Sequence, residues 1–102
     1  MSWWTRLTGR LRRPSAPLLH IASDDGEGPV IILIHGIASS AATFQKLIPQ
    51  LTAHHRCIAI DLLGFGQSPA PEGATYTIEE LVDAIAATIA SLKLRAPFML
   101  VG

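Results

Sequence analysis

Short aliphatic runs alternate along the chain with stretches in which apolar residues recur at helical spacing. The clearest run is Val30–Ile34, five aliphatic residues of which four are β-branched. A run of this kind is typical of a central strand in a parallel sheet that is covered by helices on both faces. Residues 18–22, 56–60 and 98–102 form further strand candidates, and the last of them is also predicted to be buried.

Two stretches between these runs have the periodicity of helices. In residues 43–54, apolar side chains occur at Phe44, Leu47, Ile48 and Leu51, and Pro49 predicts a kink or a boundary within them. Residues 77–92 are better marked, because Thr77 and Glu80 form a T-x-x-E capping box at their start. The order strand, helix, strand, helix, strand predicts an α/β fold, with a mostly parallel sheet and helices on both faces.

The length of the chain limits this fold to one domain, and its composition excludes several classes of protein. The chain has 102 residues, of which 49% are hydrophobic and 16% are charged, so a disordered protein is excluded. Cys57 is the only cysteine, which excludes an internal disulfide, and we expect it to be a buried structural thiol. With no long apolar run or signal peptide in view, we expect a cytoplasmic location.

The balanced net charge conceals an uneven distribution. Residues 1–13 carry four arginines and no acid, so residues 14–102 hold four basic residues against eight acidic ones. This acidic remainder argues against a nucleic-acid partner. Residues 1–17, which also contain Trp3, Trp4 and two prolines, form a leader for which two interpretations stay open. One is a poorly ordered terminus; the other is a short anchor in which residues 1–13 contact a membrane surface.

Two motifs follow directly after predicted strands, where ligands bind in α/β sheets. The first is His35-Gly36-Ile37-Ala38, and the second runs from Asp61 through Gly64, Gly66 and Ser68 to Pro69. A nucleotide site is not supported, because the third glycine of a G-x-G-x-x-G pattern is replaced by Pro69. The histidines His20, His54 and His55 lack the spacing of metal ligands, so we expect no metal.

In combination, the two motifs and the later Leu100-Val101-Gly102 resemble the α/β-hydrolase fold over residues 18–102. The resemblance implies hydrolysis of an ester or related bond, a small ester-like substrate and no cofactor. It implies that the backbone N–H of Ile37 is an oxyanion-hole donor, and that Gly36, Ile37 and Ala38 contact substrate. We expect structural roles in the loops for His35, Asp61, Gly64, Gly66 and Ser68.

Gly102 matches the first glycine of the family's nucleophile elbow, G-x-S-x-G. The nucleophile, acid and histidine of the triad are absent from the 102 residues, so we expect an N-terminal portion of a serine-type hydrolase that is inactive alone. Epoxide hydrolase, haloalkane dehalogenase and haloperoxidase chemistry stay open within the family. Outside it, the alternatives are a non-catalytic binding protein and a non-functional truncated product.

Overall fold

The computed structural model describes residues 16–36 and 39–102. Its strands are β1 (Ile21–Asp25), β2 (Val30–Ile34), β3 (Arg56–Ile60) and β4 (Phe98–Val101). A 3₁₀ helix (Ala41–Phe44) and the short helix α1 (Ile48–Leu51) connect β2 to β3, and helix α2 (Ile78–Ser91) precedes β4. Of the predicted leader, only the last two residues lie in the described part of the chain.

The four strands form one mixed sheet in the order β1-β3-β2-β4. Strand β2 is parallel to both of its neighbours, with Val30 beside Arg56 of β3 and Phe98 of β4, while β1 is antiparallel to β3. The predicted fold class, an α/β fold with a mostly parallel sheet, is therefore confirmed. Because the chain places β3 on one side of β2 and β4 on the other, the carboxyl ends of these three strands meet at one edge.

Each face of the sheet packs against helical residues. On one face, Ile32 and Ile58 form a cluster with Ala84 and Ile89 of α2. On the other face, Leu33 and Cys57 belong to a second cluster with residues of the 3₁₀ helix and α1. The strand β2 is almost completely buried between them, as its unbroken aliphatic sequence predicts.

The predicted helix over residues 43–54 is wrong as a continuous element. The structure has instead the 3₁₀ helix, a turn and the four-residue helix α1, in which Pro49 occupies the first turn. Proline lacks a backbone N–H and fits the start of a helix, where that donor has no partner. The boundary predicted at Pro49 is therefore confirmed. Of the periodic apolar residues, Phe44, Ile48 and Leu51 pack in the core, whereas Leu47 is exposed.

The first and last predicted strands also differ from the structure. Strand β1 begins at Ile21 rather than at residue 18, because the preceding backbone is held by side chains: the Leu19 N–H donates to Thr88 Oγ1 at 2.9 Å and the His20 N–H to Ser68 Oγ at 2.8 Å. Strand β4 is not buried as predicted, since Met99 is 60% exposed and Leu100 is 42% exposed. Within the described part of the chain, β4 lies at an edge of the sheet.

Helix α2 begins at the capping box that its sequence predicts, but the Glu80 side chain bonds to the residues before the cap. Thr77 is the N-cap, and its hydroxyl accepts the Glu80 N–H at 3.2 Å. The Glu80 carboxylate accepts from the backbone N–H groups of Thr75 and Tyr76, at 2.9 and 3.0 Å, and from the Thr75 hydroxyl. These hydrogen bonds, first those from Thr75, lower the pKa of Glu80.

Cys57 is fully buried in β3, and burial raises the pKa of its thiol. In residues 16–36 and 39–102, no helix is long and apolar enough to cross a membrane. The same residues contain no group of three or more potential metal-ligating side chains.

Candidate functional site

The site predicted from sequence lies at the carboxyl ends of β2 and β3. His35 and Gly36 follow β2, and Asp61 follows β3. His35 and Asp61 are both 4% exposed, so their polar side chains are buried at this edge of the sheet. Ile37 and Ala38, the predicted oxyanion donor and its neighbour, lie outside the described residues.

Both ring nitrogens of His35 make hydrogen bonds to the backbone. The Leu62 N–H, which can only donate, lies 2.8 Å from Nε2, so Nε2 accepts and the proton is on Nδ1. That proton is donated to the Gly36 carbonyl oxygen, with Nδ1 at 2.7 Å from it. The ring also meets Phe65 edge to face, with centroids 6.2 Å apart. In this arrangement the imidazole has no free nitrogen with which to accept a proton from a nucleophile.

The Asp61 carboxylate joins the loops that follow β2 and β3. One oxygen accepts the Ala41 N–H at 2.7 Å, and the other accepts the Gln67 N–H at 3.1 Å. The bond to Gln67 is local, as expected for an Asp at a strand end, but the bond to Ala41 crosses to the other loop. Sequence reasoning missed this second partner, because nothing local pairs two residues twenty positions apart.

Together, His35 and Asp61 connect the two loops in both directions. His35, from the β2 loop, accepts an N–H of the β3 loop, and Asp61, from the β3 loop, accepts an N–H of the β2 loop. We call these four residues, His35, Ala41, Asp61 and Leu62, the loop clamp. The clamp holds the chain at His35 and again at Ala41, on either side of Ile37 and Ala38.

The two predicted turn glycines are required by their conformations and surroundings. Gly66 has a φ of +54°, and a Cβ on it would lie 2.3 Å from Cγ of Asp61. Gly64 has a φ of +82°, and a Cβ there would lie 2.5 Å from the Tyr76 ring. A side chain at position 66 would therefore displace the carboxylate that holds the clamp.

Ser68 connects the β3 loop to the residues before β1. Its hydroxyl donates a short hydrogen bond to the Asp61 carbonyl oxygen and accepts the His20 N–H. The structure thus brings His35, Asp61, Gly64, Gly66 and Ser68 into one loop assembly.

Two cavities lie away from Gly36. One, of about 280 Å³, adjoins the clamp on the β1 side and is lined by Ser23, Ser40, Gln45 and Asp61, among others. The other, of about 430 Å³, includes Val30, Phe98 and Met99 in its lining and lies at the amino ends of β2 and β4. Ligands of α/β sheets bind at the opposite, carboxyl ends, so the larger cavity is not the candidate site.

A sequence profile described as the alpha/beta hydrolase fold matches residues 29–102. The chain belongs to the α/β-hydrolase family. The profile thereby confirms the resemblance found in the strand-end motifs, and the solved structures agree with the fold.

Individual α/β-hydrolases that match the chain differ in their chemistry. The pimeloyl-[acyl-carrier protein] methyl ester esterase of Aeromonas salmonicida is 41% identical over 61 residues, which are 60% of this chain and 24% of that protein. Haloalkane dehalogenase 2 of Mycobacterium tuberculosis is 42% identical over 57 residues, which are 56% of this chain and 20% of that protein. The chain therefore spans about a quarter or less of these relatives.

Solved α/β-hydrolase structures match over a larger part of the chain. An esterase from Exiguobacterium antarcticum has a TM-score of 0.74 at 27% identity, covering 82% of this chain and 31% of that one. A bromoperoxidase from Bacillus anthracis has a TM-score of 0.72 at 31% identity, covering 78% of this chain and 29% of that one. The esterase and the bromoperoxidase thus share the fold described here.

Proposed function

We propose that this chain is the N-terminal portion of a serine-type α/β-hydrolase that cleaves an ester or related bond. In the complete protein it contributes the oxyanion-hole loop, with Ile37 as one backbone donor and Gly36, Ile37 and Ala38 against the substrate. The nucleophile, acid and histidine of the triad then lie beyond Gly102. The substrate is a small molecule with an ester-like group.

The observation that carries this proposal is the proximity of Gly102 to the end of β2. A Cβ on Gly102 would lie 3.7 Å from the Ile34 carbonyl oxygen, and Ile34 directly precedes His35 and Gly36. Gly102 matches the first glycine of the nucleophile elbow. The arrangement therefore supports an elbow beside the loop that holds Ile37.

In this proposal, the loop that holds Ile37 stabilises the negative charge that forms on the substrate oxygen. When the nucleophile oxygen bonds to the carbonyl carbon, the carbonyl π electrons move to oxygen, and two backbone N–H groups stabilise that anion. A donor in a loop that shifts by an ångström would lose much of this effect. The clamp supports the proposal because it holds the chain at His35 and at Ala41, on either side of Ile37.

His35 and Asp61 have a positioning role in this proposal and are not members of the triad. In His35, Nδ1 donates to a backbone carbonyl and Nε2 accepts a backbone N–H. In Asp61, both carboxylate oxygens accept backbone N–H groups. A general base needs a free nitrogen within hydrogen-bonding reach of the nucleophile. The base and acid are therefore expected from other residues.

A second candidate is a nucleophilic aspartate in place of serine, as in haloalkane dehalogenases and epoxide hydrolases. The match to haloalkane dehalogenase 2 favours it. The two candidates share the strand-end loops and differ at the second residue after Gly102. A non-catalytic binding protein would carry neither nucleophile there, and a truncated product would have no such residue.

The test is to read the coding sequence after the codon for Gly102 and to express the protein that it encodes. Serine at the elbow, together with stoichiometric covalent labelling by a fluorophosphonate and hydrolysis of p-nitrophenyl acetate, is the expected result. The matched control is the same protein with alanine at the elbow, which should neither label nor hydrolyse the ester.

Aspartate at the elbow would replace the serine proposal with dehalogenase or epoxide hydrolase chemistry. A stop codon, or another residue at the elbow without labelling, would overturn catalysis by this protein and leave the binding or truncated alternatives.

A further inference from the structure

Tyr76 has a strained backbone conformation in the connection between the β3 loop and α2. Its φ is +54°, in the left-handed region that a bulky side chain rarely adopts. Within residues 16–36 and 39–102, Lys93 is the other non-glycine residue with a positive φ, and it follows the C-cap of α2, where that conformation is common. Tyr76 instead precedes the N-cap, Thr77, so the motif of a helix C-terminus does not explain it.

The Glu80 carboxylate holds the backbone of Tyr76 in this conformation. Its oxygen Oε2 accepts the Tyr76 N–H at 3.0 Å. The same oxygen accepts the N–H and the hydroxyl of Thr75, at 2.9 and 2.8 Å. Backbone strain persists only where the surrounding structure over-determines the conformation, and it is concentrated at functional sites. A strained turn held by three hydrogen bonds therefore indicates that the Tyr76 side chain is needed in one place.

The strained turn places the Tyr76 ring against Gly64 of the β3 loop. A Cβ on Gly64 would lie 2.5 Å from the ring carbon Cε1 and 3.1 Å from the hydroxyl oxygen, so the ring occupies the space that a side chain at position 64 would need. Tyr76 is 43% exposed, so the larger part of its surface is covered. The Gly64 N–H also donates to the Pro69 carbonyl oxygen at 2.8 Å. The loop is thus restrained at Gly64 by a ring contact and by a hydrogen bond.

Gly64 lies between two residues that contact His35. Leu62 donates its N–H to His35 Nε2 at 2.8 Å, and the Phe65 ring meets the His35 ring edge to face. The Phe65 N–H donates to the Leu62 carbonyl oxygen at 2.9 Å, which closes a tight turn around Gly64. A displacement of Gly64 would therefore disturb both contacts that this turn makes with His35.

We propose that Tyr76 is a positioning residue for the loop clamp. Its ring holds Gly64, the turn around Gly64 holds His35, and His35 belongs to the loop that continues into Ile37. The benefit of this arrangement to catalysis rests on the proposed function, in which Ile37 is an oxyanion donor. The contact between Tyr76 and the loop does not rest on it, so the two can be tested separately.

Variants of the protein encoded by the complete reading frame separate the Tyr76 ring from its backbone. Tyr76→Asn removes the ring and tolerates the positive φ, whereas Tyr76→Phe keeps the ring and removes only the hydroxyl. Lys93→Asn is the matched control, because it makes the corresponding change at the opposite end of α2. Glu80→Ala is a second test of the same contact, since it leaves the ring in place and removes the three hydrogen bonds that hold its backbone.

Hydrogen exchange, followed by mass spectrometry, measures the opening of the two loops in peptides that cover residues 39–45 and 61–68. These peptides contain the N–H groups of Ala41 and Leu62, which the clamp protects. Exchange should be about tenfold faster in Tyr76→Asn, because loss of the ring contact makes loop opening easier. Glu80→Ala should change it in the same direction, while Tyr76→Phe and Lys93→Asn should match the parent.

Unchanged exchange in both Tyr76→Asn and Glu80→Ala would overturn the proposal. An equal increase in Lys93→Asn would overturn it as well, because the effect would then not be specific to the ring. The same holds for an equal increase in Tyr76→Phe, which would assign the effect to the hydroxyl.

The consequence for catalysis is measured with p-nitrophenyl acetate. Tyr76→Asn should lower kcat by about tenfold and leave KM within about twofold of the parent, because the oxyanion forms only in the transition state. Tyr76→Phe should retain the kcat of the parent. Faster loop exchange with an unchanged kcat would overturn the positioning role. A parent protein without esterase activity would contradict the proposed function, and hydrogen exchange would still decide whether Tyr76 holds the loops.

Discussion

The side chains of His35 and Asp61 direct their hydrogen bonds to backbone groups of two loops, and this sets what each residue contributes. A buried carboxylate that accepts two N–H groups stabilises the folded loops more than a neutral acceptor would, because its bonds are charge-assisted. Removing it leaves the N–H groups of Ala41 and Gln67 without their acceptor.

We expect Asp61→Ala to lower the free energy of unfolding by about 3 kcal/mol, since two backbone donors lose a charged partner. Urea unfolding of the 102-residue chain, followed by circular dichroism, measures this change. Glu72→Gln removes one acidic charge from an exposed position and should change stability little. Equal effects of the two substitutions would show that net charge, and not the clamp, matters at position 61.

Asp24 provides a pH-dependent contact on the surface of the sheet. Its carboxylate accepts two hydrogen bonds from Arg56, at 2.8 and 2.7 Å, and this pair lowers the pKa of Asp24 below its ordinary value of 3.8. The unfolded chain therefore binds the proton more readily than the folded one. The stabilisation is present above the ordinary pKa and is lost as the pH falls through the lowered one.

A double-mutant cycle with Asp24→Asn and Arg56→Gln measures this contact. The coupling between the two residues should be favourable at neutral pH and small, since both side chains are more than a third exposed. It should fall to zero in acid. A coupling that persisted at a pH where Asp24 is protonated would contradict the assignment.

Elements whose signals are local were predictable from sequence. The aliphatic run of β2 and the cap of α2 depend on neighbouring residues, and both lie where predicted. The start of β1 was not predictable, because it depends on Thr88, which lies 69 residues from Leu19. The hydrogen bond from Ala41 to Asp61 was not predictable for the same reason, because it depends on how the folded sheet brings two loops together.

Thr88 tests this long-range contact between elements. Its buried hydroxyl accepts the Leu19 N–H and donates to the Ala84 carbonyl oxygen. We expect Thr88→Val to destabilise the chain by about 1–3 kcal/mol, because the Leu19 N–H is left buried without an acceptor. Thr88→Ser keeps the hydroxyl and should cost less in the same urea titration. Equal losses would show that packing of the methyl group dominates.

At the scale of the whole molecule, β4 determines how the 102-residue chain behaves in solution. It lies at the sheet edge of the described residues, its sequence is entirely apolar, and Met99 and Leu100 are exposed. An edge strand of this kind presents unpaired backbone groups and apolar side chains to other molecules.

We therefore expect the 102-residue chain to self-associate, which size-exclusion chromatography with light scattering measures. Met99→Lys places a charge on the exposed edge and should shift the distribution toward monomer. Lys46→Met, at an exposed position away from β4, should not. A monodisperse parent monomer with a sharp thermal transition would contradict this expectation.

The central claim, that residue 37 supplies an oxyanion donor in a serine-type hydrolase, is tested most directly in the protein encoded by the complete reading frame. The kcat for p-nitrophenyl acetate is compared between Ile37→Pro, which lacks the backbone N–H, and Ile37→Val, which keeps it. We predict a loss of about 10²–10³ in kcat for the proline variant and a far smaller loss for valine. Equal kcat values in the two variants, with both proteins folded, would contradict the claim.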